Sequence, residues 1–374
     1  MTTRSASQAS AGDASWLDRP TVDVVADLAR GHLSEAAAAL ARLADRRDSE
    51  ALHDFRVAVR RLRSLLRGYR RWLGRAAGRK VRRGLGELGS ATNAGRDAEV
   101  QLEWLEAQRP QLARGERTGL NALVRKLRAL RRESYREARG DVRADFARVV
   151  ERLEQRLGEL DATTSVSFRE SFSMLLREHA ADLEQRLAAI RGAQDDEHAH
   201  KARISAKRLR YLLEPIRRDV DGAAALVSRL KDLQDLLGEL HDLHVLDDLL
   251  LSELKTGAIA KVQLLRSLAL AGEEDAVKRQ RRRDESRGLV ALAAAVRTGR
   301  DALFADLSAR WLHAAAHSVF ADAAALADSL DRRSELPREP EDSSFPQIPP
   351  VTTHETPAGD DSAAEIADGP SAGP

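Results

Sequence analysis

A chain of 374 residues with 43% apolar composition is long enough for one large or two medium domains, and a 4% aromatic share makes the core one of Leu, Ala and Val. It has no cysteine, which excludes a disulfide framework or thiolate metal site and fits a reducing compartment. No apolar run of about 18 residues occurs, so neither a transmembrane helix nor a secretory signal is expected, and the expectation is a soluble cytoplasmic protein. The net charge of +2 hides an asymmetry, because residues 334–374 carry −8 and residues 21–333 carry +10.

In chain order, residues 1–20 and 334–374 are poor in large apolar residues and rich in Ser, Gly, Pro and acid, and read as disordered tails. Eight of the eleven prolines lie in the C-terminal tail and one is Pro20, leaving Pro110 and Pro215 for the whole body. With β-branched runs scarce and Ala, Leu, Arg and Glu dominant, that body reads as all-α. Helices are expected over 22–46, 49–73, 77–107, 111–139, 141–160, 168–191, 196–219, 222–254, 256–284 and 286–330, the last with an internal break. The Ser/Thr-rich stretch Asp161–Ser167 divides the body into halves, 21–160 and 168–333.

The second of these helices carries a line of cations. At about 100° per residue, His53, Arg56, Arg60, Arg63, Arg67 and Arg71 share an arc of about 80° with no acid among them. Phe55, Val59, Leu62, Leu66 and Tyr69 form the adjoining apolar face, which packs on a core. A solvated helix face usually mixes signs at i,i+4, whereas this one suits a polyanion.

The stripe recurs. HDFRVAVRRLRSLL at His53–Leu66 matches HKARISAKRLRYLL at His200–Leu213 at an offset of 147, pairing Arg56 with Arg203, Arg60 with Lys207 and Arg63 with Arg210. Downstream, Leu85–Val100 matches Leu230–Val245 at an offset of 145, and Gly68 and Pro215 mark a bend or stop at equivalent points. The fold implied is two pseudo-symmetric antiparallel helical bundles from an internal duplication, each giving one basic helix to a shared cleft.

The doubled H-x-x-R-[VI]-x-x-[RK]-R-L-R resembles the CHAD family, the conserved histidine α-helical domain, over about residues 22–333. The resemblance implies binding of inorganic polyphosphate in a basic cleft between two helical halves, with His53, Arg56, Arg60, Arg63, His200, Arg203, Lys207 and Arg210 as binding positions. Arg67 extends the first stripe on geometry alone. Members of that family occur alone or fused to a CYTH catalytic domain; no E-x-E-x-K alternation or strand-forming run occurs here, so the chain resembles a stand-alone module. Glu214 stands where the second stripe would need the equivalent of Arg67, so the halves are expected to contribute unequally.

Guanidinium groups suit phosphate because they stay charged and donate two parallel hydrogen bonds. His53 and His200 either donate to phosphate or orient the arginines by hydrogen bonds. Arg61 and Arg208 fall off the stripe and are expected to pair with acids on neighbouring helices. His241, His244 and Asp248 share a helix face, as do His313 and His317, yet neither set makes a persuasive metal site. No phosphate-binding glycine loop, nucleophile elbow or H-E-x-x-H is present, so neither catalysis nor a cofactor is expected. The rival readings are a nucleic-acid-binding helical protein and, more remotely, an enzyme processing polyphosphate or triphosphate; recruitment to polyphosphate granules is the expected setting of the leading one. Basic runs at Arg125–Arg132 and Lys278–Arg283 are read mainly as solvated surface, and the acidic tail as a candidate competitor for the cleft.

Overall fold

The computed structural model describes residues 15–334 apart from 44–47, 49, 91–92, 162–165, 283–284 and 313–316; the acidic tail beyond Ser334 and His313 therefore lie outside the described residues. Among them are twelve α-helices: α1 Thr21–Arg42, α2 Ala51–Gly68, α3 Arg70–Leu73, α4 Arg79–Ser90, α5 Asn93–Gln108, α6 Arg117–Gly158, α7 Phe168–Ala188, α8 Asp196–Leu213, α9 Ala223–Leu270, α10 Glu274–Arg282, α11 Ser286–Trp311 and α12 His317–Ser334. The all-α expectation holds. The break expected within 286–330 falls between α11 and α12, and α2 and α8 stop beside Gly68 and Pro215 as their matched positions predict.

Four boundaries differ from expectation. The stretches 111–139 and 141–160 join into α6, and α9 runs through Gly257 for 48 residues, because a helix interior tolerates one glycine at about 1 kcal/mol when the flanking turns are strong formers. Conversely, α9 stops at Leu270 because Gly272 takes φ +73°, a left-handed conformation that closes the helix. The expected helix over 77–107 is two, α4 and α5. Residues 15–20 belong to the fold rather than to a tail: Trp16 and Leu17 are buried in a short 3₁₀ turn, and Asp18 accepts from buried Arg169 at 2.7 Å.

The duplication is visible as reciprocal contacts. Thr21 N donates to Val166 O and Phe168 N donates to Arg19 O, each at 2.9 Å; Arg19 and Val166, like Thr21 and Phe168, are mates at the offset of 147. The backbone thus joins the starts of the two halves across a local two-fold. Each half then packs its first two helices together, α1 on α2 and α7 on α8, and α2 meets α8 at the centre. One large core, built round Phe55, Tyr69, Phe168 and Phe172, fills both halves. A smaller Leu and Val core joins α5 and α6 of the first half to α9 and α11 of the second.

A second reciprocal contact lies at this smaller core. Gly119 and Gly288 are each the third residue of their helices, α6 and α11. A Cβ on Gly119 would sit 2.3 Å from Glu285 O, and one on Gly288 would sit 2.0 Å from Glu116 O. Helix backbones approach this closely only where no side chain intervenes. We expect Gly119→Ala and Gly288→Ala each to cost about 1 to 3 kcal/mol through forced separation of the helices. Gly257→Ala, whose Cβ meets nothing within 4 Å, should gain up to about 1 kcal/mol; urea denaturation midpoints measure all three.

Candidate functional site: a basic groove on the first half

Helix α2 is amphipathic, with Phe55, Val59, Leu62 and Leu66 in the core, and this fixes the direction of its cations. They point at α4 and α5. Arg56 Nη2 lies 3.5 Å from Asn93 Oδ1, and Arg63 Nη1 lies 3.0 Å from where a Cβ on Gly89 would stand. On α4, Arg82, Gly86 and Gly89 share the face turned toward the stripe, at spacings of four and three. Gly86 has open space in front of it: nothing lies within 4 Å of its Cβ position. Helix packing thus brings the stripe's Arg56 and Arg63 up to α4 and α5, with His53 in the field of Arg60 and Arg96, and sets a candidate groove beside Gly86.

Several polar atoms here are buried without a hydrogen-bond partner among the described residues: His53 Nε2, Arg82 Nε and Arg96 Nε. Burial, then the cationic fields of Arg60 and Arg96, holds the His53 pKa below the usual histidine value. At the groove's end, Tyr135 donates to Glu99 Oε1 at 2.8 Å and packs its ring on Gly95; burial and Glu99 push its pKa up to about 12. Glu99 also takes Arg96 at 3.1 Å.

The second stripe is placed differently. Arg203, Lys207 and Arg210 are 0, 4 and 2% exposed, whereas their mates Arg60 and Arg63 are half-buried and Arg56 is 7% exposed. The offset of 145 puts Lys231 where the first half has Gly86, and buried Gln234 where it has Gly89. Side chains therefore occupy the wall that glycine leaves clear in the first half. The histidines keep their correspondence: His53 feels Arg96, and the His200 ring lies 4.7 Å from that of His241, the mate of Arg96. His241 and His244 turn to Asp196, each with Nδ1 at 3.4 Å from its Oδ1, while Asp248 is exposed. His244 Nε2 also lies 3.0 Å from Ala193 O. No group able to hold a metal ion occurs among the described residues.

The off-stripe expectation holds for Arg61, whose Nε donates to Glu214 Oε2 at 2.8 Å across the α2–α8 contact. Glu214 Oε1 also faces Arg210 Nε at 3.7 Å. Its partner-by-offset Arg67 lines a cavity between the halves with Arg208.

The CHAD domain model matches residues 27–251, more than half of the chain, including both stripes and both walls. The chain belongs to the CHAD domain family. Among solved structures, the CHAD domain from the plant Ricinus communis aligns with a TM-score of 0.54 at 24% identity, over 85% of this chain and 96% of that one. PptA from Streptomyces chartreusis aligns with a TM-score of 0.52 at 19% identity, over 81% of this chain and 99% of that one. At these identities the likeness is one of fold. A search of curated proteins found no significant match. Sequence periodicity found the stripes but missed the wall opposite them; the signal was the three glycines Gly84, Gly86 and Gly89 within α4, unusual in a 12-residue helix.

Two outcomes follow from this geometry. Removing the carboxylate in Glu214→Ala takes the acceptor at 2.8 Å away from buried Arg61, and should cost about 3 to 5 kcal/mol by chemical denaturation. Burial also holds His53, His179 and His244 below their ordinary value of 6.5. The unfolded chain therefore binds protons first as the pH drops below about 6.5, and stability present above that value is lost. The melting temperature should fall between about pH 7.5 and pH 5.5, and fall less in His244→Gln.

Proposed function

We propose that this CHAD domain binds inorganic polyphosphate along the groove between α2 and α4–α5, without catalysis, and that recruitment to polyphosphate granules is the cellular consequence. CHAD domains are associated with polyphosphate-related proteins. The observation that carries the reading is the open space at Gly86 on α4, beside the basic stripe of α2, where the second half has Lys231 instead. From His53 to Arg67 the stripe is about 21 Å long at 1.5 Å per residue, enough to meet several consecutive phosphates of a linear chain. In this reading Arg60, Arg63 and Arg67 contact the phosphates, Arg56 supports them from beneath, and buried Arg203, Lys207 and Arg210 contribute mainly field. His53 adds a proton-dependent donor, since an anion in the groove would offset the cationic field that suppresses its charge.

The nucleic-acid reading is the weaker one. Phe55, Tyr69 and Tyr211, the aromatics in or beside the two basic helices, are all buried, so none of these three offers a face for bases to stack upon.

Gly86→Glu tests the groove, because the new side chain enters open space and replaces a helix-weakening glycine. Polyphosphate affinity should fall at least about tenfold with helix content and melting temperature unchanged or raised, and the wild-type affinity should drop steeply with salt through counterion release. Unchanged affinity would remove the groove from consideration. In competition at fixed ionic strength, long-chain polyphosphate should displace single- and double-stranded nucleic acid of equal charge; tighter nucleic-acid binding would overturn the reading.

A further inference from the structure

The second half carries a segment that the first half lacks. Upstream of it the halves match at an offset of 145; downstream, Gly119, Leu120, Ala122 and Leu123 match Gly288, Leu289, Ala291 and Leu292 at 169, so 24 residues are added between. They are the distal part of α9 together with α10. In the first half α5 ends at Gln108 and α6 begins at Arg117 across a short connection. In the second, α9 runs on to Leu270, the chain reverses at Gly272, and α10 returns before α11 begins.

This hairpin is an arm. Leu250 is the last buried residue of α9, Leu254 still packs partly on the smaller core, and none of residues 251–280 is buried. The two helices pack on each other, with Leu265, Leu268 and Val277 half-buried. From Leu254 to the turn the arm is roughly 25 Å long at 1.5 Å per residue. A segment added only to be solvated would be polar, yet Ile259, Val262 and Leu270 are 60, 66 and 75% exposed. At about 100° per residue, Leu251, Ala258, Ile259, Val262, Ala269 and Leu270 fall within an arc of about 120° that excludes Leu265 and Leu268. Lys255 and Arg266 lie in the same arc. Helices of this length are marginal in water without tertiary packing, so the arc calls for a cover.

The charges along the arm identify that cover. Its tip is acidic, with Glu273, Glu274 and Asp275 all exposed and Asp275 facing Lys278 at 3.5 Å. Its root is cationic: Glu253 is taken by Lys126 of α6, while Lys255 stands one turn further along in the apolar arc. Lys255 and Glu273 are 18 residues apart, at opposite ends of the arm. Two such arms laid antiparallel bring Lys255 of each to Glu273 of the other, with the apolar arcs between them, whereas a parallel pair opposes like charges. An anionic lipid surface would meet repulsion from the carboxylates at the tip.

We propose that the arm is a self-association surface, through which two copies of this chain pair antiparallel about a two-fold axis. Their α9–α10 hairpins form a four-helix bundle that covers Ile259, Val262 and Leu270 and joins Lys255 of each copy to Glu273 of the other. A face about 25 Å long and two helices wide buries roughly 1,000 Å² in total, the small end of specific interfaces, so the dimer is reversible.

The test is sedimentation equilibrium of the full chain over a concentration series, in buffer free of polyphosphate, so that its outcome is independent of the groove reading. The wild type should pass from one chain mass to two as its concentration rises. Val262→Glu places a carboxylate in the covered arc at a position that is exposed in the single chain. It should raise the dissociation constant at least about tenfold with helix content unchanged by circular dichroism. Lys255→Glu and Glu273→Lys should each weaken the dimer by setting like charges at both ends of the dyad, and combining them should restore it. A wild type that stays monomeric throughout, an unchanged dimer in Val262→Glu, or a double variant no tighter than the two single ones overturns the proposal. Binding of a monomeric chain to vesicles of anionic phospholipid would assign the arm to a membrane surface and overturn it equally.

Discussion

An arginine can be taken out of water only if something in the protein replaces what water supplied, and Glu214 does this for two of them at the centre of the molecule. One oxygen holds Arg61 from the first half and the other faces Arg210 from the second. Removing that carboxylate would leave buried positive charge short of its partner, which is far costlier than the pair's net contribution to stability. Because Arg61 sits on α2 and Glu214 directly after α8, the same group also fixes how the two basic helices cross.

Duplicated architecture with unequal chemistry is the main functional feature. The two copies keep their histidines, their helix–helix pairings and their stops, but they differ in what faces the stripe. Gly86 on α4 leaves open space, where the second copy has Lys231 on α9. Under the proposed function, divergence of this kind lets one copy bind while buried Arg203, Lys207 and Arg210 of the other add positive potential without the mobility of exposed side chains.

The fold class, the duplication and the first stripe were legible because each is a periodic signal carried by residue type alone. The helix boundaries at Gly140 and Gly257 were not, since a single glycine lowers helix stability by less than the neighbouring turns supply. Trp16 and Leu17 were hidden by the polar residues around them, although their burial ties the chain start to α7. The burial of the second stripe was beyond periodicity altogether, because a helix's own sequence says which residues share a face and nothing about the helix opposite. Glu214 was visible as an interruption of the stripe. Its meaning required Arg61, 153 positions away, to be seen beside it.

The reciprocal contacts at Pro20–Ser167 and at Gly119–Gly288 have a consequence for assembly. They are isologous in the sense used for dimers: the same patch on each half meets itself across a dyad. The domain is in that respect a homodimer whose subunits have been joined into one chain, with its point group already closed. A closed dyad consumes the surface through which the half-domain would recognise another copy of itself, so this interface cannot propagate into a chain of domains. The join also lifts the symmetry constraint on sequence, since a change in one half is no longer copied into the other. That freedom is what allowed an arginine to stand at position 67 and a glutamate at position 214.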